Sequence, residues 1–396
     1  MAKRPQPDPV ASLSAEEARA IVLRAQGLSG DPIAGGVPGV LRQLGAVQLD
    51  TISVLARSHE LVPYARLGSV GRKAAEAAYW AQPPAAFEYR AHAECILPIE
   101  MWPFFAFRRR AWGAREDWTE IPEAVYAEVR AALRDGPVTA SDLGGARNGA
   151  GWWSWSEAKM AIEWLQYRGE VVCTTRRGWK RVYDLPERVV PAALLASEPT
   201  DAECFLRIVR EIGRALGVAT RKDIADCYLL TRNYAGRAQN ANALIDAAIA
   251  ESGLLPVAVE GWAETAYAYP WALEPAPAGS RTTLLSPFDS LIWDRDRTER
   301  LFGLRLRIEA YTPKAQRVHG YFSMPLLADG RLAGRADPAR EGRTLVGRTV
   351  SVDSADHVAP MAAALRDAAS WVGCDDVRVD EVRPPALAKE LRRALA

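Results

Sequence analysis

The stretch Ala46-Val47-Gln48-Leu49-Asp50 sets an amide and a carboxylate two positions apart, interleaved with apolar residues. Successive side chains of an extended chain point to opposite faces. The pattern therefore predicts a short strand with Gln48 and Asp50 side by side on one face. An amide beside a carboxylate can hold and polarise one water: the amide orients it, and the carboxylate draws its proton or steadies a nearby positive charge. A short strand with a polar solvent face has the same spacing, so the pair alone leaves both readings open. Other chemistry has less support. The five cysteines, Cys95, Cys173, Cys204, Cys227 and Cys374, are scattered, and there are only four histidines. No metal centre, cofactor or disulfide framework is expected, and a reducing, cytoplasmic setting fits best.

The elements that must position this pair can be read from periodicity. With 396 residues, 49% hydrophobic and 25% charged, the chain suits a globular protein of about two to three domains. Residues 1–11 are Pro-rich and read as loose, without the apolar core of a signal peptide, and no apolar run is long enough to span a membrane. Ser14-Ala15-Glu16-Glu17 is a capping-box pattern that opens a helix, and 37–45 reads as a second helix stopped by Gly45. Residues 70–94 read as helical, with Ala-rich spacing over 73–80 and an interruption at Pro83-Pro84.

Residues 121–186 read as a module: a helix over 121–134, a turn into a second short helix, a third helix over 154–168, and two strands around Arg176-Arg177-Gly178-Trp179. Three helices and a hairpin make a winged helix. The order recurs over 201–270, and the N-terminal part forms a possible third copy. The expected architecture is α+β. It has a winged-helix domain carrying the Gln48/Asp50 motif (12–120), a second (121–190), a third (200–272) and a β-rich C-terminal domain with terminal helices (280–396). Within 305–325 a hairpin is expected, with a basic tip at Lys314 and Arg317. The net charge of +1 hides local excess: residues 280–348 hold twelve Arg and one Lys against eight Asp plus Glu. Local cations can bind a polyanion even on a near-neutral protein.

Several longer pieces, in order, resemble one family. They are Val47-Gln48-Leu49-Asp50, Ala56-Arg57-Ser58-His59-Glu60-Leu61, Tyr64-Ala65-Arg66-Leu67-Gly68, Phe87-Glu88-Tyr89 with Ala91-His92-Ala93, Ile96-Leu97-Pro98, Ser286-Pro287-Phe288-Asp289-Ser290-Leu291-Ile292-Trp293-Asp294-Arg295, and Arg317-Val318-His319-Gly320-Tyr321. Together they resemble the winged-helix DNA glycosylases of the YcaQ/AlkZ-like crosslink-repair family. Arg90 departs from the pattern, which tends to an aromatic residue there.

The resemblance implies tandem winged helices in a C shape around a basic channel for duplex DNA. It also implies removal of N7-alkylated purines, including bulky adducts and, in one branch, bases tethered in interstrand crosslinks. That branch uses Gln-apolar-Asp, which Gln48-Leu49-Asp50 matches, whereas a second branch carries Gln in place of the Asp. Gln48 and Asp50 are then the catalytic residues, acting as a monofunctional glycosylase because no lysine neighbours the motif. Candidate DNA contacts are Arg57, His59 and His92, the hairpin cations Arg176, Arg177, Lys180 and Arg181, and Lys314, Arg317 and His319. The expected partner is double-stranded DNA carrying alkylated purines, bound by a monomer. The rival readings are a non-enzymatic winged-helix DNA-binding regulator and, further off, an oligomeric scaffold.

Overall fold

The computed structural model describes residues 7–115, 121–144, 157–275 and 279–396. The chain forms two compact units: Met1–Ala75 with Ile212–Ile224 and Leu254–Ala396, and Glu76–Glu211 with Ala225–Gly253. Among the described residues no helix is long and apolar enough to cross a membrane, and all five cysteines are buried and free.

In the first unit the capping box forms as predicted. The Ser14 hydroxyl accepts from the Glu17 backbone N–H at 3.1 Å, and the Ser14 N–H donates to the Glu17 carboxylate at 2.8 Å. Together they satisfy two orphan donors at the start of the helix Ala15–Ala25. The preceding residues differ from the expectation: Ala11–Leu13 is a strand, paired parallel to Leu255–Val259. It completes a four-stranded sheet with Ala266–Ala268 and Val218–Thr220. Ile21 and Val22 pack on that sheet, with Leu291 and Ile292 in the same core.

The C-terminal part of this unit is a five-stranded sheet in chain order, Thr283–Leu284, Met324–Ala328, Arg331–Glu341, Thr344–Val352 and Asp376–Arg383. The last two strands are parallel, and the helix Val358–Trp371 makes the crossover. Its Met361, Leu365 and Ala368 join Leu326, Val350 and Val379 in one core. The hairpin expected within 305–325 does not form. Residues 304–309 are neither helix nor strand, and a short 3-10 turn, Lys314–Gln316, follows. The buried Glu309 carboxylate organises this stretch by accepting from the His319 and Gly320 N–H groups at 2.8 and 3.2 Å. A local polar partner replaces the ladder.

In the second unit the strands run in the order Glu94–Pro98, Ala86–Arg90, Val172–Arg177, Lys180–Asp184. The segment 86–90 is thus a strand rather than a continuation of the helix Arg72–Tyr79. Helices Glu123–Asp135 and Glu157–Arg168 bury Val129, Leu133, Ile162 and Leu165 against Cys173 and Tyr183. The predicted start of the second of these, at 154, lies outside the described residues. In 201–270 the expected helices and strands occur as Asp201–Leu216, Arg221–Cys227, Ala241–Glu251, Leu255–Val259 and Ala266–Ala268.

Candidate active site

The helix Gly36–Leu44 ends at Gly45, whose φ of 73° closes it in the left-handed conformation that a glycine adopts at little cost. Two residues later the chain enters the strand Val47–Gln48. The strand is shorter than predicted and stops before Asp50. Burial does not alternate either: Val47 is 1%, Gln48 9% and Leu49 7% exposed, whereas Asp50 is half-buried. Gln48 is thus packed in, and Asp50 reaches the surface from a turn. Asp50 Oδ1 accepts from the Ile52 N–H at 2.8 Å, an Asx-type turn that orients the carboxylate. Ile52, Val54, Leu55 and Ala56 then run into the core of the C-terminal sheet.

The electrostatics of this carboxylate are unusual. Burial raises the Asp50 pKa, and the backbone N–H groups of Ile52 and Thr51 offset only part of the rise. Among the described residues Asp50 has no ion-pair partner. Such a group is a stronger base than a free aspartate.

The helix Ser58–Leu67 behind the turn is buried almost all round. His59 is fully enclosed, and as placed it offers no surface to DNA. Arg57 is half-buried at the helix start, its N–H donating to Glu60 at 2.7 Å. Arg66 closes the helix in a fully buried pair, donating to both Asp289 oxygens at 2.7 and 2.8 Å. It also donates to the Gln26 backbone and side-chain oxygens at 2.8 and 3.2 Å, and the Ser290 hydroxyl donates to the same Gln26 side chain at 2.7 Å. The Ser286–Arg295 stretch is therefore an anchor: Asp289 neutralises Arg66, and Asp294 caps the helix Arg295–Phe302. Gln26 had no signal in the sequence, because only its distant neighbours reveal its role.

The hairpin cations divide unexpectedly. Arg176 donates to both oxygens of the buried Glu88, at 2.5 and 2.6 Å, and Arg181 donates to Glu88 and Glu94 at 3.0 Å each. These two arginines turn inward and correct the expectation of a four-cation exposed tip. Arg177 and Lys180, register partners at the tip, remain exposed. Arg90 donates to Glu94 and to the Tyr167 hydroxyl at 3.2 and 3.1 Å. His92 is half-buried, with Nδ1 3.2 Å from the Cys227 carbonyl oxygen, so that nitrogen carries the proton.

On the 305–320 stretch Lys314 is exposed, and Arg317 donates to the Thr312 carbonyl at 2.8 Å with its guanidinium 4.9 Å from the Tyr321 ring centre. Burial and the nearby Arg335 lower the His319 pKa, so its ring is neutral at pH 7 and offers a hydrogen bond rather than a charge.

Residues 41–373 match the AlkZ-like DNA glycosylase family. The chain belongs to this family. The match spans most of the sequence, and a DNA glycosylase takes DNA as its partner. Among solved structures, the Streptomyces sahachiroi DNA glycosylase AlkZ superposes with a TM-score of 0.60 at 19% identity, covering 93% of this chain and 100% of that one. At that identity the likeness establishes a shared mixed α/β fold.

Proposed function

We propose that the protein is a monofunctional DNA glycosylase that hydrolyses the N-glycosidic bond of N7-alkylated purines in DNA repair, bulky adducts and interstrand crosslinks included. The observation that carries this reading is the Asp50 carboxylate: half-buried, raised in pKa, lacking an ion-pair partner among the described residues, and two residues beyond Gln48. An N7-alkylated purine is cationic and already a good leaving group. What remains is to steady the developing sugar cation and deliver water.

In this reading Gln48 holds the water and Asp50 accepts its proton as the oxygen bonds C1′. The C1′–N9 electron pair leaves with the base, which departs neutral, and an abasic site remains. Residues 46–61 include no lysine, which supports release without Schiff-base strand cleavage. Winged helices in the 12–120, 121–190 and 200–272 segments, forming a basic channel for duplex DNA, belong to the same proposal. Of the candidate contacts, Arg177, Lys180 and Lys314 are exposed.

The test is release of 7-methylguanine, and unhooking of a defined N7 crosslink, by the intact chain, Asp50→Asn and Gln48→Ala. Wild-type release with alkali-labile abasic sites, lost in Asp50→Asn, supports the proposal. Wild-type rates in Asp50→Asn would remove Asp50 from the mechanism. Tight DNA binding without release of any base would favour the regulator.

A further inference from the structure

Outside the Gln48/Asp50 turn, residues 228–240 of the second unit carry a surface with unusual composition. They hold Arg232, Asn233, Tyr234, Arg237, Gln239 and Asn240, and Arg232 pairs with Asp226 just before them at 3.3 Å. All six of these side chains are exposed, whereas Ala235, Gly236 and Ala238 between them are buried. Tyr234 exposes 57% of its surface, and among the described residues Arg237 makes no ion pair or side-chain hydrogen bond.

The backbone beneath is fastened. Arg115 donates to the Asn233 carbonyl at 3.2 Å, and Arg90 donates to the Tyr234 carbonyl at 3.4 Å. Gly236, with φ at 75°, lies so close to the unit's interior that a Cβ there would stand 2.5 Å from Trp112 Nε1 and 2.8 Å from Arg108 Cγ. A tyrosine left on the surface of a slack loop is ordinary. A tyrosine and an unpaired arginine held outward by a turn locked from below, among amides, with the acid just before the turn, Asp226, taken up by Arg232, are arranged for a polyanion with flat faces.

We propose that this turn is a second DNA contact, in which Arg237 meets a backbone phosphate and the Tyr234 ring packs against an exposed base or sugar face. The inference rests on the protein acting on DNA. Arginine supplies a persistent charge with a directional fork for phosphate oxygens. An aromatic ring supplies contact that salt does not screen and that every base can accept. Asn233 and Gln239 flank the pair with donors and acceptors for sugar and phosphate. The secure backbone lowers the ordering cost of binding.

The experiment measures binding of the intact chain to an undamaged fluorescent duplex over a range of salt concentrations, with Arg237→Gln, Tyr234→Ala and Tyr234→Phe. Arg237→Gln should weaken binding and reduce the slope of log K against log salt by about one, the share of a single phosphate. Tyr234→Ala should weaken binding about tenfold at every salt concentration with its slope kept, and Tyr234→Phe should restore it. Because these side chains are exposed, all three variants should melt with the wild type. Wild-type affinity and slope in both Arg237→Gln and Tyr234→Ala would overturn the contact while leaving the glycosylase proposal intact. A wild type that binds DNA but releases no base would sink the glycosylase proposal, and the slopes would still judge the contact. A wild type without affinity for duplex DNA would overturn both.

Discussion

Two carboxylates in this protein have opposite surroundings. Glu88, in the sheet of the second unit, is 1% exposed and is gripped by Arg176 and Arg181. Burial alone would raise its pKa, but the hydrogen bonds and charges of the two arginines more than reverse this and hold it low. Asp50, in the turn of the first unit, is half-buried with backbone N–H groups as its only partners among the described residues, and burial prevails to raise its pKa. The difference separates a carboxylate that holds structure from one available for chemistry. An arginine pair satisfies the charge and removes its basicity, whereas desolvation without a cation keeps the basicity and costs stability.

The comparison is tested most strongly at Glu88. Glu88→Gln leaves two arginines, 6% and 18% exposed at their side chains, without their shared counter-charge. The expected loss is about 3 kcal/mol or more of stability, as for one partner removed from a buried pair. Urea titration followed by tryptophan fluorescence measures it, and an unchanged midpoint would break the contrast. Asp289→Asn should act similarly by stranding Arg66 in the first unit.

Asp50→Asn comes next. Its cost falls on rate: single-turnover base release should slow by about 100-fold or more, the contribution of a positioned general base. A Glu88 variant that still folds should keep more of the rate than this.

A smaller effect lies in the pH profile. Because the Asp50 pKa is raised, base release should begin to fall, on acidification, at a pH above the ordinary aspartate range near 3.9, and drop about tenfold per unit below it. The Asn variant should show no such limb. A rate flat down to pH 4 would place the acting base elsewhere.

The smallest effect is on stability. With its folded pKa above the unfolded one, Asp50 contributes stability fully present below the unfolded pKa and lost as pH rises through the folded pKa. At pH 7 its charge is therefore a net cost, and Asp50→Asn should melt at or slightly above wild type. Glu88 has the opposite sign: its contribution is present above the unfolded pKa and lost as pH falls through the folded one. A lower melting temperature for Asp50→Asn at pH 7 would make Asp50 a structural residue like Glu88.

Much of the fold and part of the site were legible in advance. The capping box at Ser14 and Glu17 and the helices around 123–135 and 201–216 follow from spacing within one or two turns. So do the strands of 172–184 and 255–268. The hairpin expected within 305–325 does not form because alternating Leu306, Ile308 and Ala310 only mimic a ladder, whereas Glu309 gathers the His319 and Gly320 N–H groups. At the site, Asp50 was legible as a candidate base, but the side-by-side strand face was not, since the strand stops at Gln48.

By itself the sequence determined the local elements, their order, and membership in the AlkZ-like DNA glycosylase family, because helical and strand periodicities and motif order are short-range properties. The tertiary structure decided which charges are engaged. Arg66 finds Asp289 across 223 positions of chain, Arg176 finds Glu88 across 88, and Asp50 finds no cation among the described residues. A residue's type states what it can bind, but only the packing of distant segments decides whether a partner and a low dielectric arrive beside it, and both its charge and its chemistry depend on that.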